Sequence, residues 1–186
     1  EKLGIEFTVE KEKPWSEVVA SVKNGELDMF PSVVSTTQRR EYVNFSKTYL
    51  SFPMVIVTSD QVAYVNGLKD LRHETVAVVR GYATQDLLMK NHPDLNLYVA
   101  DSVADALEKL SHGKVYAYIG NIATVSHVIR REGLTNIKIS GETPYSYELT
   151  MGVRKDWPEF MPILQKTLDS ITEQEREQIY QNWIKL

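Results

Sequence analysis

The sequence predicts an α/β fold, because short apolar runs alternate with segments of helical periodicity along most of the chain. Runs such as residues 52–58 and 75–79 are typical of buried strands. The segments between them are helical in pattern and about ten to fifteen residues long. Alternation of this kind favours mostly parallel sheets flanked by helices.

Composition limits the kind of protein this chain can be. Its 186 residues are 42% hydrophobic and 25% charged, enough for one domain or two small lobes with a real core. A net charge of −4, without a basic run, argues against a nucleic-acid partner. The absence of cysteine excludes disulfides and thiolate metal sites. No apolar run approaches the 18 or so residues of a membrane span.

The first elements follow from periodicity and turn residues. Residues 3–9 alternate loosely, which predicts a strand. A helix should start at Pro14 and end at Asn24-Gly25. Its apolar face is formed by Trp15, Val18, Val19 and Val22. Trp15 is more easily explained as a core residue than as a residue that stacks on a ligand.

The middle of the chain continues the alternation. A strand should end at residues 28–30, where Pro31 stops its ladder, and a buried strand should follow at 52–58. After a helical turn at 68–71 and a strand at 75–79, Thr84 is a candidate cap for a helix that ends before His92-Pro93. A strand at 95–99 and a helix with the capping box Ser102…Asp105 come next.

The last third predicts three further strands and three helices. The strands are expected at 115–119, 137–139 and 148–153, with a break at 141–144. A helix after Gly120-Asn121 should end at Gly133. Two helices then close the chain, and Thr172…Glu175 is a capping box for the second.

The stretch from Asp28 to Tyr49 contains the parts of a small-anion site. Four hydroxyl residues follow the strand and are natural caps for a short helix: Ser32, Ser35, Thr36 and Thr37. The free N–H groups at the start of such a helix attract anions. Arg39 adds a planar fork that suits a carboxylate. The alternative is that Arg39 and Arg40 only pair with surface acids.

No pattern for chemistry stands out. The four histidines are scattered, so neither a metal site nor a cofactor is expected. The sequence contains no GxSxG, Walker or GxGxxG motif. Acidic residues such as Glu26, Asp28 and Asp70 are better explained as caps, pairs or solvated charges than as a catalytic pair.

Thr36-x-x-Arg39, followed by Val43-Asn44-Phe45-Ser46 and Tyr49, resembles the signature of the family 3 bacterial extracellular solute-binding proteins. The similarity continues through residues 25–28, 79–82, 113–121 and 153–157 to Trp183. These segments look most like the sensor modules of membrane-bound histidine kinases. The resemblance implies a type II periplasmic-binding-protein, or Venus-flytrap, fold.

In that fold two lobes, joined by two hinge crossings, hold a ligand between them. The resemblance places lobe 1 at 1–60 and 145–186, and lobe 2 at 61–144. The first strand, a ligand-contacting loop and the first helix of the family are not found before Leu3, so lobe 1 is expected to be N-terminally incomplete. The chain is then either truncated or a minimal variant, and we expect it to bind ligand weakly or not at all.

By position, the resemblance implies that Arg39 holds a ligand carboxylate. The other implied ligand-binding residues are Ser32, Val34, Thr36, Gly81, Tyr82, Ala83, Thr84 and Asn121. Amino-acid binders of the family have an acidic residue at position 121 that pairs with the α-ammonium. Asn121 brings no charge, which favours a carboxylate without that ammonium or a module that signals without such a ligand; alternatively, Asn121 is only a helix cap.

Three functions remain open. The chain is a ligand-sensing module of a membrane receptor, a substrate-binding subunit of an ABC uptake system, or a dehydratase-like enzyme on the same fold. The first two imply a small carboxylate or amino-acid-like ligand, receptor or transporter partner domains, and a periplasmic or extracytoplasmic location. We expect no enzymatic activity, no cofactor, no metal and no nucleic-acid partner.

Overall fold

A computed structural model describes residues 2–183 of the chain. The helices and strands are α1 (Trp15–Lys23), β1 (Met29–Val34), β2 (Val43–Phe45), β3 (Leu50–Ser59), β4 (Thr75–Val79), α2 (Ala83–Asn91), β5 (Asn96–Ala100), α3 (Val103–Ser111), β6 (Ala117–Asn121), α4 (Ile122–Glu132), β7 (Ile137–Arg154), α5 (Phe160–Asp169) and α6 (Glu173–Trp183). Short 3₁₀ turns lie at Arg39–Glu41 and Leu68–Leu71. The predicted α/β class is confirmed.

The chain forms two compact units. Among the described residues, the first comprises 2–51 with 148–183, and the second comprises Phe52–Tyr147. Almost all of β3 falls in the second unit, because its residues from Met54 onward pair with β6. The lobe boundaries at residues 60 and 144 stay a prediction drawn from the family resemblance.

In the first unit, β1 and β2 both pair antiparallel with the second half of β7. The prediction that Pro31 stops β1 is wrong, because Pro31 lies inside this strand. The pairing shifts between Phe30 and Val33, which marks a bulge, and β1 is at the edge of the sheet. An edge strand with a bulge tolerates proline because the missing N–H is not needed there.

Helix α1 packs on this sheet through the predicted face. Val22, Phe30, Val33 and Val43 are buried together, and Trp15, Val18 and Val19 pack against them. A second cluster joins Val153 of β7 to Phe160 and Leu164 of α5. Both clusters follow from period-2 and period-3.6 patterns in the sequence.

The strand predicted at residues 3–9 does not form. Ile5, Phe7 and Val9 are 46%, 48% and 63% exposed, and the segment has no ladder partner among residues 2–183. Alternation alone does not make a strand, because the backbone groups of an isolated strand have nothing to bond to except water.

In the second unit the sheet order is β7-β3-β6-β4-β5. Strand β4 pairs parallel with β5 and β6, whereas β3 pairs antiparallel with β6. The sheet is therefore mixed and not mostly parallel as predicted, because β1, β2 and β3 all form antiparallel pairs. Helices α3 and α4 cover its core, and the predicted stripe on α3 is buried: Val103, Ala106, Leu107 and Leu110.

Two strand predictions in this part were wrong in extent. Strand β6 lies two residues further on than 115–119 and runs through Gly120 to Asn121. The two strands expected at 137–139 and 148–153 are one continuous strand, β7. The predicted break at 141–144 is absent, since β7 runs through these residues. At Gly141 an added side chain would collide with the carbonyl oxygen of Val65.

Candidate functional site

Arg39 lies in the first unit and is only 5% exposed. Its Nη1 donates a hydrogen bond of 2.8 Å to the carbonyl oxygen of Val34, and its guanidinium carbon lies 5.4 Å from the centre of the Trp15 ring. Arg40, by contrast, is exposed and lies 5.8 Å over the ring of Phe45. The two neighbouring arginines therefore have different environments, one held inside the fold and the other at its surface.

The hydroxyl residues before Arg39 form only part of the expected anion site. Thr36 Oγ1 accepts the N–H of Arg39 at 3.2 Å, whereas the residue before the 3₁₀ turn, Gln38, makes no side-chain capping bond. The helix that follows is a three-residue 3₁₀ turn, and so few aligned peptides provide little of the predicted N-terminal charge. Ser32 is exposed and Val34 is half-buried. Ser35 Oγ is buried without a hydrogen-bond partner among the described residues.

Tyr49 contacts β1 in the first unit. Its hydroxyl donates a 2.9 Å hydrogen bond to the carbonyl oxygen of Pro31. Burial raises the pKa of the Tyr49 phenol, while a hydrogen bond with Ser32 opposes the rise. The phenol stays neutral at physiological pH and tethers the chain after β2 to the bulge of β1.

The second predicted group of residues surrounds the start of α2. Gly81 has a φ of 71°, which a residue with a side chain rarely adopts, and its N–H donates to Gln85 Oε1 at 2.8 Å. Tyr82 is the residue before α2 and is half-buried; burial raises the pKa of its phenol. Gly81, Tyr82 and Ala83 are thus adjacent in one turn at the carboxyl end of β4.

The prediction that Thr84 caps α2 is wrong, because Thr84 lies within the first turn of this helix. The side chain is 1% exposed, and its hydroxyl shares a short hydrogen bond with the hydroxyl of Tyr147 on β7. Thr84 therefore anchors the turn from inside the second unit. Its role as a direct ligand contact stays a prediction.

Asn121 ends β6 and caps α4. Its Oδ1 accepts the N–H groups of Ala123 at 2.8 Å and Thr124 at 3.5 Å. The capping interpretation of Asn121 is therefore confirmed, and its contact with a ligand stays a prediction. The carbonyl oxygen already serves the helix, which leaves the amide N–H₂ as the polar group it can offer to a solute.

Sequence reasoning missed the tyrosines that stand behind these residues. Tyr118 on β6 is fully buried, and burial raises its pKa well above the ordinary value. Burial likewise raises the pKa of Tyr147 to about 12. The only sequence signal was Gly120, which leaves room for the Tyr118 ring; an added Cβ would lie 2.5 Å from it.

Across residues 2–183, no three His, Asp or Glu side chains are grouped to hold a metal ion. The mixed α/β fold matches solved structures of periplasmic-binding-protein type. The family model for the bacterial extracellular solute-binding proteins, family 3, matches residues 1–186, so the chain belongs to that family.

The chain is similar to individual sensor and amino-acid-binding proteins of this family. The chain is 26% identical over 184 residues to the virulence sensor protein BvgS of Bordetella pertussis, covering 98% of this chain and 15% of BvgS. The crystal structure of the BvgS periplasmic VFT2 domain matches with a TM-score of 0.79 and 27% identity, over 90% of this chain and 72% of that one.

The probable amino-acid-binding protein YxeM of Bacillus subtilis is 28% identical over 137 residues, which are 72% of this chain and 51% of YxeM. The chain thus spans a small part of BvgS and about half of YxeM. Within residues 2–183, none of the helices is long and apolar enough to cross a membrane.

Proposed function

We propose that this chain is the ligand-sensing module of a membrane-bound signalling receptor, such as a histidine kinase, on the extracytoplasmic side. The observation that carries the proposal is the similarity to BvgS, which extends over 98% of the chain and is matched by the fold of the BvgS VFT2 domain. A sensing module performs no reaction itself. It needs a site that binds the solute and a receptor that responds when the solute is bound.

The proposed solute is a small carboxylate. Arg39 supplies the bidentate, always-charged group that suits a carboxylate, and its burial strengthens such a pair. Ser32, Val34 and Thr36 line the same segment of the first unit. The proposed ligand-contacting residues of the second unit are Gly81, Tyr82, Ala83 and Thr84.

Asn121 argues for a carboxylate without an α-ammonium. Its side chain carries no charge, and its carbonyl oxygen already accepts two N–H groups of α4. An ammonium buried beside it would lack a full counter-ion, which is costly. The solute class therefore differs from the ordinary amino acids in this one feature.

The second candidate is a substrate-binding subunit of an amino-acid-type ABC transporter. The 28% identity with the probable amino-acid-binding protein YxeM favours it. Sequencing the gene beyond Leu186 separates the two candidates. A transmembrane segment followed by a kinase region supports the sensor, and a stop codon without one supports the transporter subunit.

Calorimetry on the complete protein tests the solute class. The panel contains the twenty amino acids and simple carboxylic acids of similar size. For a panel compound that binds, Arg39→Ala should cost about 2–5 kcal/mol of binding free energy, as expected for truncating a buried charge-assisted pair. Arg40→Ala is the matched control and should change little. Tight binding of a free α-amino acid with its ammonium at Asn121 would overturn the proposed solute class.

A further inference from the structure

Three elements of the first unit hold Arg39, and two of them contact its guanidinium. Helix α1 contributes the ring of Trp15, β1 contributes the carbonyl oxygen of Val34, and the following loop contributes Thr36, which holds the backbone of Arg39. A guanidinium has five N–H donors in one plane. Its tilt therefore decides which donors face a bound carboxylate.

Trp15 is itself fixed in place. It is the first residue of α1, and its ring lies 5.5 Å from the ring of Phe30, at an interplanar angle of 44°. Phe30 is fully buried in the core of the unit. The indole is thus a rigid surface connected to the core, and a cation over an aromatic face is attracted to it.

We propose that Trp15 is a positioning residue for Arg39. The indole face holds the guanidinium in one orientation, and so prepares it for a carboxylate before any solute arrives. This inference rests on the proposed function in giving Arg39 a carboxylate to bind. It differs from a ligand-stacking role for Trp15, because the ring acts on the arginine and not on the solute.

NMR spectroscopy of the full 186-residue chain, labelled with ¹⁵N, tests the inference directly. The Arg39 Nε–Hε signal is assigned by its loss in Arg39→Lys. In the unsubstituted protein the ring current of Trp15 should shift this signal away from the other arginines. Trp15→Leu, which keeps apolar volume but removes the aromatic face, should abolish the shift, and Trp15→Phe should retain part of it.

Sodium acetate, titrated into the complete protein, is the carboxylate probe. Titration should move the Arg39 signal, and Trp15→Leu should weaken acetate binding by about 2- to 30-fold, the range of one cation–π contact. Phe45→Leu is the matched control, since it removes the same kind of contact from the exposed Arg40. It should leave both the Arg39 signal and acetate binding unchanged.

An Arg39 signal that is the same in Trp15→Leu as in the unsubstituted protein overturns the inference. If Trp15→Leu does not fold, Trp15→Phe makes the same comparison with a smaller expected shift. A failure of acetate, titrated into the complete protein, to move the Arg39 signal contradicts the proposed function instead. In that case the Nε–Hε comparison still supports or overturns the restraint by Trp15.

Discussion

The hydroxyl of Thr84, in the first turn of α2, is hydrogen-bonded to the hydroxyl of Tyr147 on β7, and both side chains are buried. Because water cannot replace either partner, each hydroxyl depends on the other. The bond ties the Gly81–Ala83 turn to the strand that crosses from the second unit into the first at Tyr147. A second contact, 2.8 Å between His92 Nε2 and the Tyr145 hydroxyl, ties the other end of α2 to the same strand.

Tyr147→Phe should lower the free energy of unfolding by about 1–3 kcal/mol, because it leaves the buried Thr84 hydroxyl unsatisfied. Thr84→Val should have a similar effect for the converse reason. The double variant should cost less than the sum of the two, since it removes both partners together. Urea unfolding of the four proteins measures this coupling, and strictly additive losses would contradict the bond.

Alkaline pH should destabilise the protein through Tyr147. Burial raises its pKa to about 12 in the folded state, whereas in the unfolded state it is near the ordinary tyrosine value of about 10. Above pH 10 the unfolded chain loses a proton that the folded chain retains, so stability is full below pH 10 and falls as pH rises towards 12.

Urea unfolding at pH 9, 10 and 11 checks the sign. Tyr147→Phe should flatten the decline, and Tyr64→Phe, at an exposed tyrosine, should not. The pKa of the fully buried Tyr118 is also raised, so some decline of stability with pH should remain in Tyr147→Phe. A stability that rises over this pH range would contradict the burial of both phenols.

Gly120→Ala should destabilise the second unit by about 1–3 kcal/mol or more, because the new Cβ overlaps the buried Tyr118 ring. In a Tyr118→Leu background the same change should cost much less. Gly133→Ala is the control for backbone strain, since Gly133 has a φ of 64° but open space around it. Equal costs of Gly120→Ala in both backgrounds would show that the ring is not the cause.

Ser102→Ala should lower stability by about 1 kcal/mol, because Ser102 Oγ accepts the N–H of Asp105 at 3.0 Å and caps α3. Ser102→Gly should cost only a few tenths of a kcal/mol, since glycine suits the cap position and exposes the N–H to water. Thermal unfolding followed by circular dichroism distinguishes the two. A larger loss for glycine than for alanine would contradict the capping role.

The local elements of this chain could be predicted because their causes lie within a few residues of one another. The α1 face, the β4 strand and the capping box at Thr172 appear where the sequence puts them. Ser102 caps α3 as predicted, but the Asp105 carboxylate accepts the N–H of Asp101 and does not complete the box. Periodicity, glycine at a positive φ and hydroxyl caps act over one or two turns. The family resemblance rests on such local motifs too, and the match over residues 1–186 confirms it.

The tertiary structure decided what depends on residues distant in sequence. Residues 3–9 alternate like a strand but have no strand partner among residues 2–183, and Pro31 stays in a strand because β1 is at an edge. The sequence predicts Thr84 as a helix cap, but its hydroxyl is hydrogen-bonded to Tyr147, which is distant in sequence. The sequence by itself determined the α/β class, and it predicts Arg39 as the residue that binds a carboxylate. The fold alone placed Arg39 against Trp15, because ring and cation meet only when α1 packs on β1.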